Sequence, residues 1–208
     1  MPAAEILANL RVAIVQCDNL VVNAHRVVNG ASVLPPADQK QITVAAFLNL
    51  FIGWETFLEE CFLEFMMGGK TLNGLVPIRY VSPVDLAAAN KLINGVAWTY
   101  FDYAKYENVL VLARMFFKGG YPFEPYISSA YTDLEDSRKM RNWCAHKTSS
   151  TQAGLDGLAL RIFGSPRLGI DLYTLLMATD PRVASGTQTI FVTYKEKILA
   201  LAQMIATG

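Results

Sequence analysis

Charge is what this sequence has least of. Of its 208 residues only 17% are Asp, Glu, Lys or Arg, against roughly 25% in ordinary globular chains, and mean hydropathy is +0.27. Eighteen acids balance eighteen Lys and Arg, so nothing in the bulk charge marks a nucleic-acid binder, and any such contact must come from a local patch. The apolar surplus is either covered by a partner, a homodimer being the simplest, or absorbed in a well-filled helical core. Cysteine is also scarce. Cys17, Cys61 and Cys144 are odd in number and far apart, with no C-x-x-C pair, which argues for free thiols in a reducing cytoplasm rather than a disulfide framework or a zinc site. The longest uncharged run, Gln41 to Trp54, stops short of the roughly 18 apolar residues that span a bilayer. Glu5 precedes the first basic residue, Arg11, and no signal-peptide pattern follows, so the expectation is a cytoplasmic chain without membrane contact.

What is present is helical periodicity. Ile6, Leu10, Ile14, Cys17, Val21, Ala24 and Val28 recur every three or four residues and predict an amphipathic helix from Ala3 to about Val28, stopped by Gly30. His25, near its end, reads as a surface or capping group. A second helix from about Ala37 to Met67 is apolar on most faces, with Glu55, Glu59, Glu60 and Glu64 in its second half. Those acids are either a solvated edge or, through Glu55 and Glu59 at i and i+4, a carboxylate approach to a later helix. Residues 70 to 82 read as a loop, and Ser82-Pro83 as the start of a helix reaching Asn94-Gly95. Trp98 to Tyr103 form an aromatic connector, better suited to a core corner than to base stacking. A further helix spans about Lys105 to Phe117, and Pro122 and Pro125 shape a turn after it. Residues 148–190, rich in Gly, Ser, Thr and Pro, read as an irregular insertion holding at most a short hairpin. A last helix runs from about Thr193 to Ile205. The fold expected is one all-α domain over residues 1–208, an antiparallel helical bundle with a less regular segment before its final helix.

The chemistry, if there is any, gathers between Thr132 and Lys147, TDLEDSRKMRNWCAHK. Thr132 and Glu135 are spaced as a capping box, and Leu134, Met140, Trp143 and Cys144 form an apolar stripe. On the same helix lie Arg141, Asn142 and His146, one of two histidines in the chain. Arginine is a fixed planar cation suited to phosphate, and histidine moves protons near neutral pH. Arg141 and His146 are five residues apart, about 140° around an ideal helix, so one straight helix does not aim both at one atom. Either His146 sits at a frayed end, or the site draws on two chains. In-line attack of a 2′-hydroxyl needs a proton acceptor and a proton donor, and a two-fold dimer would offer two histidines. The plainer account is that Arg138 and Arg141 are surface residues paired with Glu135 or Asp136 and that His146 caps the helix.

The run Arg141-Asn142-Trp143-Cys144-Ala145-His146 resembles the R-x4-6-H signature of HEPN-domain proteins, in the form R-N-x-x-A-H at a helix end. The long helical pair before it, Trp54-Glu55 and the Phe-Asp-Tyr of 101–103 are similar in arrangement. The resemblance implies a HEPN-like bundle and a metal-independent endoribonuclease without cofactor, of toxin or antiviral-defence type. It implies a cleft at a homodimer interface, RNA as substrate and, in some cases, a cognate antitoxin. Arg141 would then hold the scissile phosphate, His146 act as general acid or base, and Asn142 orient it. Arg138, Lys139 and Lys147, with Glu55 on the second helix, would contact substrate, and Arg114 and Lys118 would add positive charge. Some members of that family are inactive interaction or nucleotide-binding modules, which stands as the alternative.

Overall fold

The computed structural model describes residues 1–97, 101–184 and 186–208. Among these the protein is all-α, with nine α-helices and one two-stranded hairpin. By internal contacts it divides into two compact units: Met1–Arg11, Gly53–Leu134 and Ile198–Gly208 form the first, and Val12–Ile52 with Glu135–Lys197 the second.

Helix α1 (Ala3–Ala24) is followed by strands β1 (Val27–Val28) and β2 (Ala31–Ser32). The helix therefore ends four residues earlier than its periodicity predicts. The reason is Asn29-Gly30: both take positive φ, 50° and 78°, the left-handed pair that a two-residue hairpin turn requires. Helix α2 (Pro36–Met66) is close to the expected span. It is also, by length and composition, a helix that could cross a membrane, with an 18-residue window of mean hydropathy 1.3. Its buried positions, among them Phe47, Leu50, Phe51, Trp54 and Leu58, are those of a core helix.

In the first unit an aromatic cluster forms the core. Phe62 stacks on Phe123 at 3.8 Å and meets Phe117 at 5.8 Å and Tyr103 at 6.0 Å, while Phe101 meets Tyr103 at 4.8 Å. The core-corner reading of the aromatic connector thus holds for Phe101 and Tyr103, both buried; Trp98 to Tyr100 lie outside the described residues. Helix α3 (Leu86–Ala97) starts later than expected, with Asp85 rather than Ser82 accepting from the Ala88 N–H at 2.7 Å. Helix α4 (Tyr106–Phe116) leads through a 3-10 turn into α5 (Phe123–Ser129), where a proline-shaped turn was expected. Pro125 lies in the first turn of α5, where its missing N–H costs nothing.

Helix α6 (Tyr131–Ala145) carries the motif. It begins one residue before Thr132, its first bond running from Leu134 N–H to Ala130 O at 3.0 Å. Glu135 turns to Arg138, so the predicted capping box is not made. The clearest departure lies at 148–190. That stretch holds two helices, α7 (Ser149–Phe163) and α8 (Leu172–Met177), rather than an irregular insertion or hairpin. Leu155, Leu158, Ala159 and Ile162 are buried at i, i+3, i+4 and i+7. That apolar face outweighs the low helix propensity of Gly154, Gly157 and the neighbouring Ser and Thr. Helix α9 (Ile190–Thr207) closes the chain.

Candidate functional site

All of the motif lies in the second unit, at the junction of α6 and α7, with only His146, Lys147 and Thr148 between the helices. The His146 N–H still bonds to Asn142 O at 2.9 Å, so His146 keeps the helical register and its Cβ stays about 140° in azimuth from that of Arg141. The His146 carbonyl accepts from Thr148 N–H at 3.1 Å and from the Thr151 hydroxyl. Thr148 then caps α7: its hydroxyl accepts from Thr151 N–H at 3.3 Å, and its own N–H donates to Thr151 Oγ1 at 3.0 Å. This reciprocal pairing is a capping box. It pins the backbone on which His146 sits, while the imidazole itself is exposed and makes no hydrogen bond among the described residues.

Arg141 and Asn142 are half-buried on α6. Trp143 anchors the last turn. Its indole N–H donates to Gln152 Oε1 at 3.0 Å, and the Gln152 amide in turn donates to Asp156 at 2.8 Å and to Ile170 O at 2.9 Å. Lys147 extends back over the Trp143 ring, its Nζ 5.1 Å from the centroid, a cation–π contact. Beside them is a cavity of about 380 Å³ lined by Ala37, Lys40, Gln41 and Val44 of α2 together with Trp143 and Lys147. Lys40 is itself 3.3 Å from Asp171.

Three of the other predicted cations, Arg138, Lys139 and Arg114, have carboxylate company. Arg138 donates to both Glu135 oxygens, at 2.9 and 3.1 Å, and Lys139 lies 3.8 Å from Asp136. The pairing that the plainer account gives Arg138 is therefore made, with Glu135, and Lys139, which that account leaves out, sits beside Asp136, so that both charges are offset. Arg114, in the first unit, is held by Glu124 through its Nε at 2.9 Å, and that bond keeps the Glu124 carboxyl below its ordinary range. Lys118 is exposed in the same unit, and Glu55 is half-buried there on α2.

One group escaped the sequence reading. Asp136 is 1% exposed, yet it accepts from the Tyr194 hydroxyl at 2.9 Å and pairs with Arg161 of α7. Arg182 bonds Asp180 at 2.7 and 2.8 Å and reaches the same tyrosine oxygen at 3.5 Å. Burial alone would raise the Asp180 carboxyl, but the Arg182 hydrogen bonds hold it below the usual value. Together these residues tie α6, α7, α9 and the segment before α9 through one polar network. A signal was available: Asp136, Met140 and Trp143 fall at i, i+4 and i+7, which puts an acid on the apolar stripe, and buried acids are almost always paired.

His25 is not a bare surface group. Its Nε2 lies 3.1 Å from Thr43 Oγ1, and its ring stacks on Tyr173 at 5.9 Å. The three cysteines are free, Cys17 and Cys61 buried and Cys144 half-buried.

Compared with known protein families, with characterised proteins and with solved structures, the chain matches none.

Proposed function

We propose that the protein is a metal-independent endoribonuclease of toxin or defence-effector type, working as a homodimer with Arg141, Asn142 and His146 as its reacting groups. The observation that carries this reading is the setting of His146: an exposed imidazole on a backbone fixed by Asn142, Thr148 and Thr151, one turn after a half-buried arginine. A proton carrier needs access to substrate and a fixed position, and the junction supplies both. The azimuth between Arg141 and His146 favours a cleft shared by two chains. There one histidine removes the 2′-proton, the other protonates the leaving 5′-oxygen, and the arginines stabilise the phosphorane charge. The resemblance of the motif to HEPN ribonucleases supports the same chemistry. Arg141→Ala and His146→Ala, each folded by circular dichroism, are expected to lose cleavage of bulk RNA by about 100-fold or more, and to lose any growth inhibition on expression. Full activity in both variants would remove these residues from the site.

A second reading rests on the cavity beside the motif. About 380 Å³ walled by Trp143 and edged by Lys40, Gln41 and Lys147 is within the usual range for a small-ligand site, and it suits a nucleotide held without turnover. Titration with AMP discriminates the two. Binding that is insensitive to His146→Ala, with no RNA cleavage, favours the module.

A further inference from the structure

Helix α1 carries two apolar stripes. One is the core stripe, with Leu7, Leu10, Ile14, Cys17 and Ala24 all buried. The other lies about 160° away around the helix and is exposed: Ala8, Val12, Val15, Asn19 and Val22. Their spacing of four, three, four and three residues is that of the a and d positions of a heptad repeat. Val12 and Val15 are 56% exposed and Val22 is 68% exposed, where a solvated face would carry charge. Val27 and Val28 of the following strand are also exposed. Exposed apolar patches of this kind mark interaction surfaces.

We propose that this stripe is the surface through which two copies of the chain pair, α1 against α1, antiparallel about a two-fold axis. Three observations choose the occupant and its direction. Four of the five stripe residues, Ala8, Val12, Val15 and Asn19, are self-complementary in the way a two-fold interface demands, since residue i meets j while j meets i, and Val22 meets Glu5 of the partner subunit at each end. Setting Val12 against Val15 of the partner subunit also sets Ala3 against Ala24 of the partner subunit. The two helices then overlap along all 22 residues, about 33 Å, and Asn19 faces the small Ala8 of the partner subunit. Charge settles the direction. In this register Arg11 lies beside Asp18 of the partner subunit, twice by symmetry. Within its own chain Arg11 bonds only the neutral Gln203 side chain among the described residues. A parallel pair would instead bring Arg11 to Gln16 and Asp18 to Asn23, with no opposite charges meeting. Asp18 already has Lys195 at 2.9 Å, and that carboxylate becomes the centre of a three-charge cluster.

The inference shares the homodimer with the ribonuclease reading but fails separately from it, because its test reads association and needs no turnover. Sedimentation of the full chain is expected to give a dimer, and Val12→Lys with Val15→Lys a folded monomer. Leu168→Lys, at a site 84% exposed outside α1, should leave the dimer intact. Arg11→Glu, a surface change that spares the core, should weaken pairing severalfold. Mixing Val12→Cys protein with Val15→Cys protein should give disulfide-linked heterodimers above the wild-type background. A monomeric wild type, or a doubly substituted chain that stays dimeric, would overturn the proposal; cross-links within either cysteine variant alone would overturn the antiparallel direction.

Discussion

At the scale of single residues, burial decides what the ionisable side chains can do. Loss of solvation pushes the Cys17 and Cys144 thiols up to about 11, and raises Cys61 as well. For Cys17 the neighbouring Asp18 adds to the rise; for Cys144 Lys147 and Arg141 pull partly against it. A thiol at 11 is almost entirely protonated near neutrality and is a poor nucleophile, so these cysteines are packing residues. The linkage has a definite sign. The unfolded chain ionises its thiols near 9 while the folded chain keeps them neutral, so their contribution is fully present below pH 9 and is lost as pH rises towards 11. Urea midpoints are expected to fall across that window, and replacing Cys17 and Cys144 by Ala should flatten the fall. His146 differs in kind: its imidazole is exposed and its backbone is held on both sides.

At the scale of elements, the readable parts of the sequence were those where one signal dominated. Helix α1 follows from apolar periodicity and α2 from its apolar run between Pro35-Pro36 and Gly68-Gly69, and the motif lies on the helix expected to carry it. Asn29-Gly30 carries the hairpin signal, but Val28 extends the helical stripe, so periodicity alone predicts only a stop at Gly30. In the segment 148–190 composition and pattern point opposite ways, and pattern wins. Its glycines and hydroxyl residues lower helix propensity, yet Leu155 to Ile162 keep helical spacing and Thr148 starts the helix. The Asp136 network was not legible in the sequence, because Arg161 and Tyr194 reach its carboxylate, and Arg182 reaches the Tyr194 oxygen, only once the helices have folded. The capping box at the α6–α7 junction has a measurable share in this. Thr148→Ala removes the side-chain acceptor for Thr151 N–H and should cost about 1 kcal/mol in urea unfolding. It should also lower RNA cleavage without abolishing it, because Thr151 also grips the His146 carbonyl. Unchanged stability would mean that the cap is not formed in solution.

At the scale of the whole molecule, a low-charge, apolar chain carries the three residues proposed to react in one short stretch of one helix. That economy is consistent with a site completed by a second copy, each chain giving one arginine and one exposed histidine. The most direct measurement is RNA cleavage by the purified protein in EDTA, wild type beside His146→Ala, with analysis of the product ends. The expected result is metal-free cleavage leaving 2′,3′-cyclic phosphates, lost in the variant. Cleavage that needs a divalent ion, or that survives the loss of His146, would contradict it.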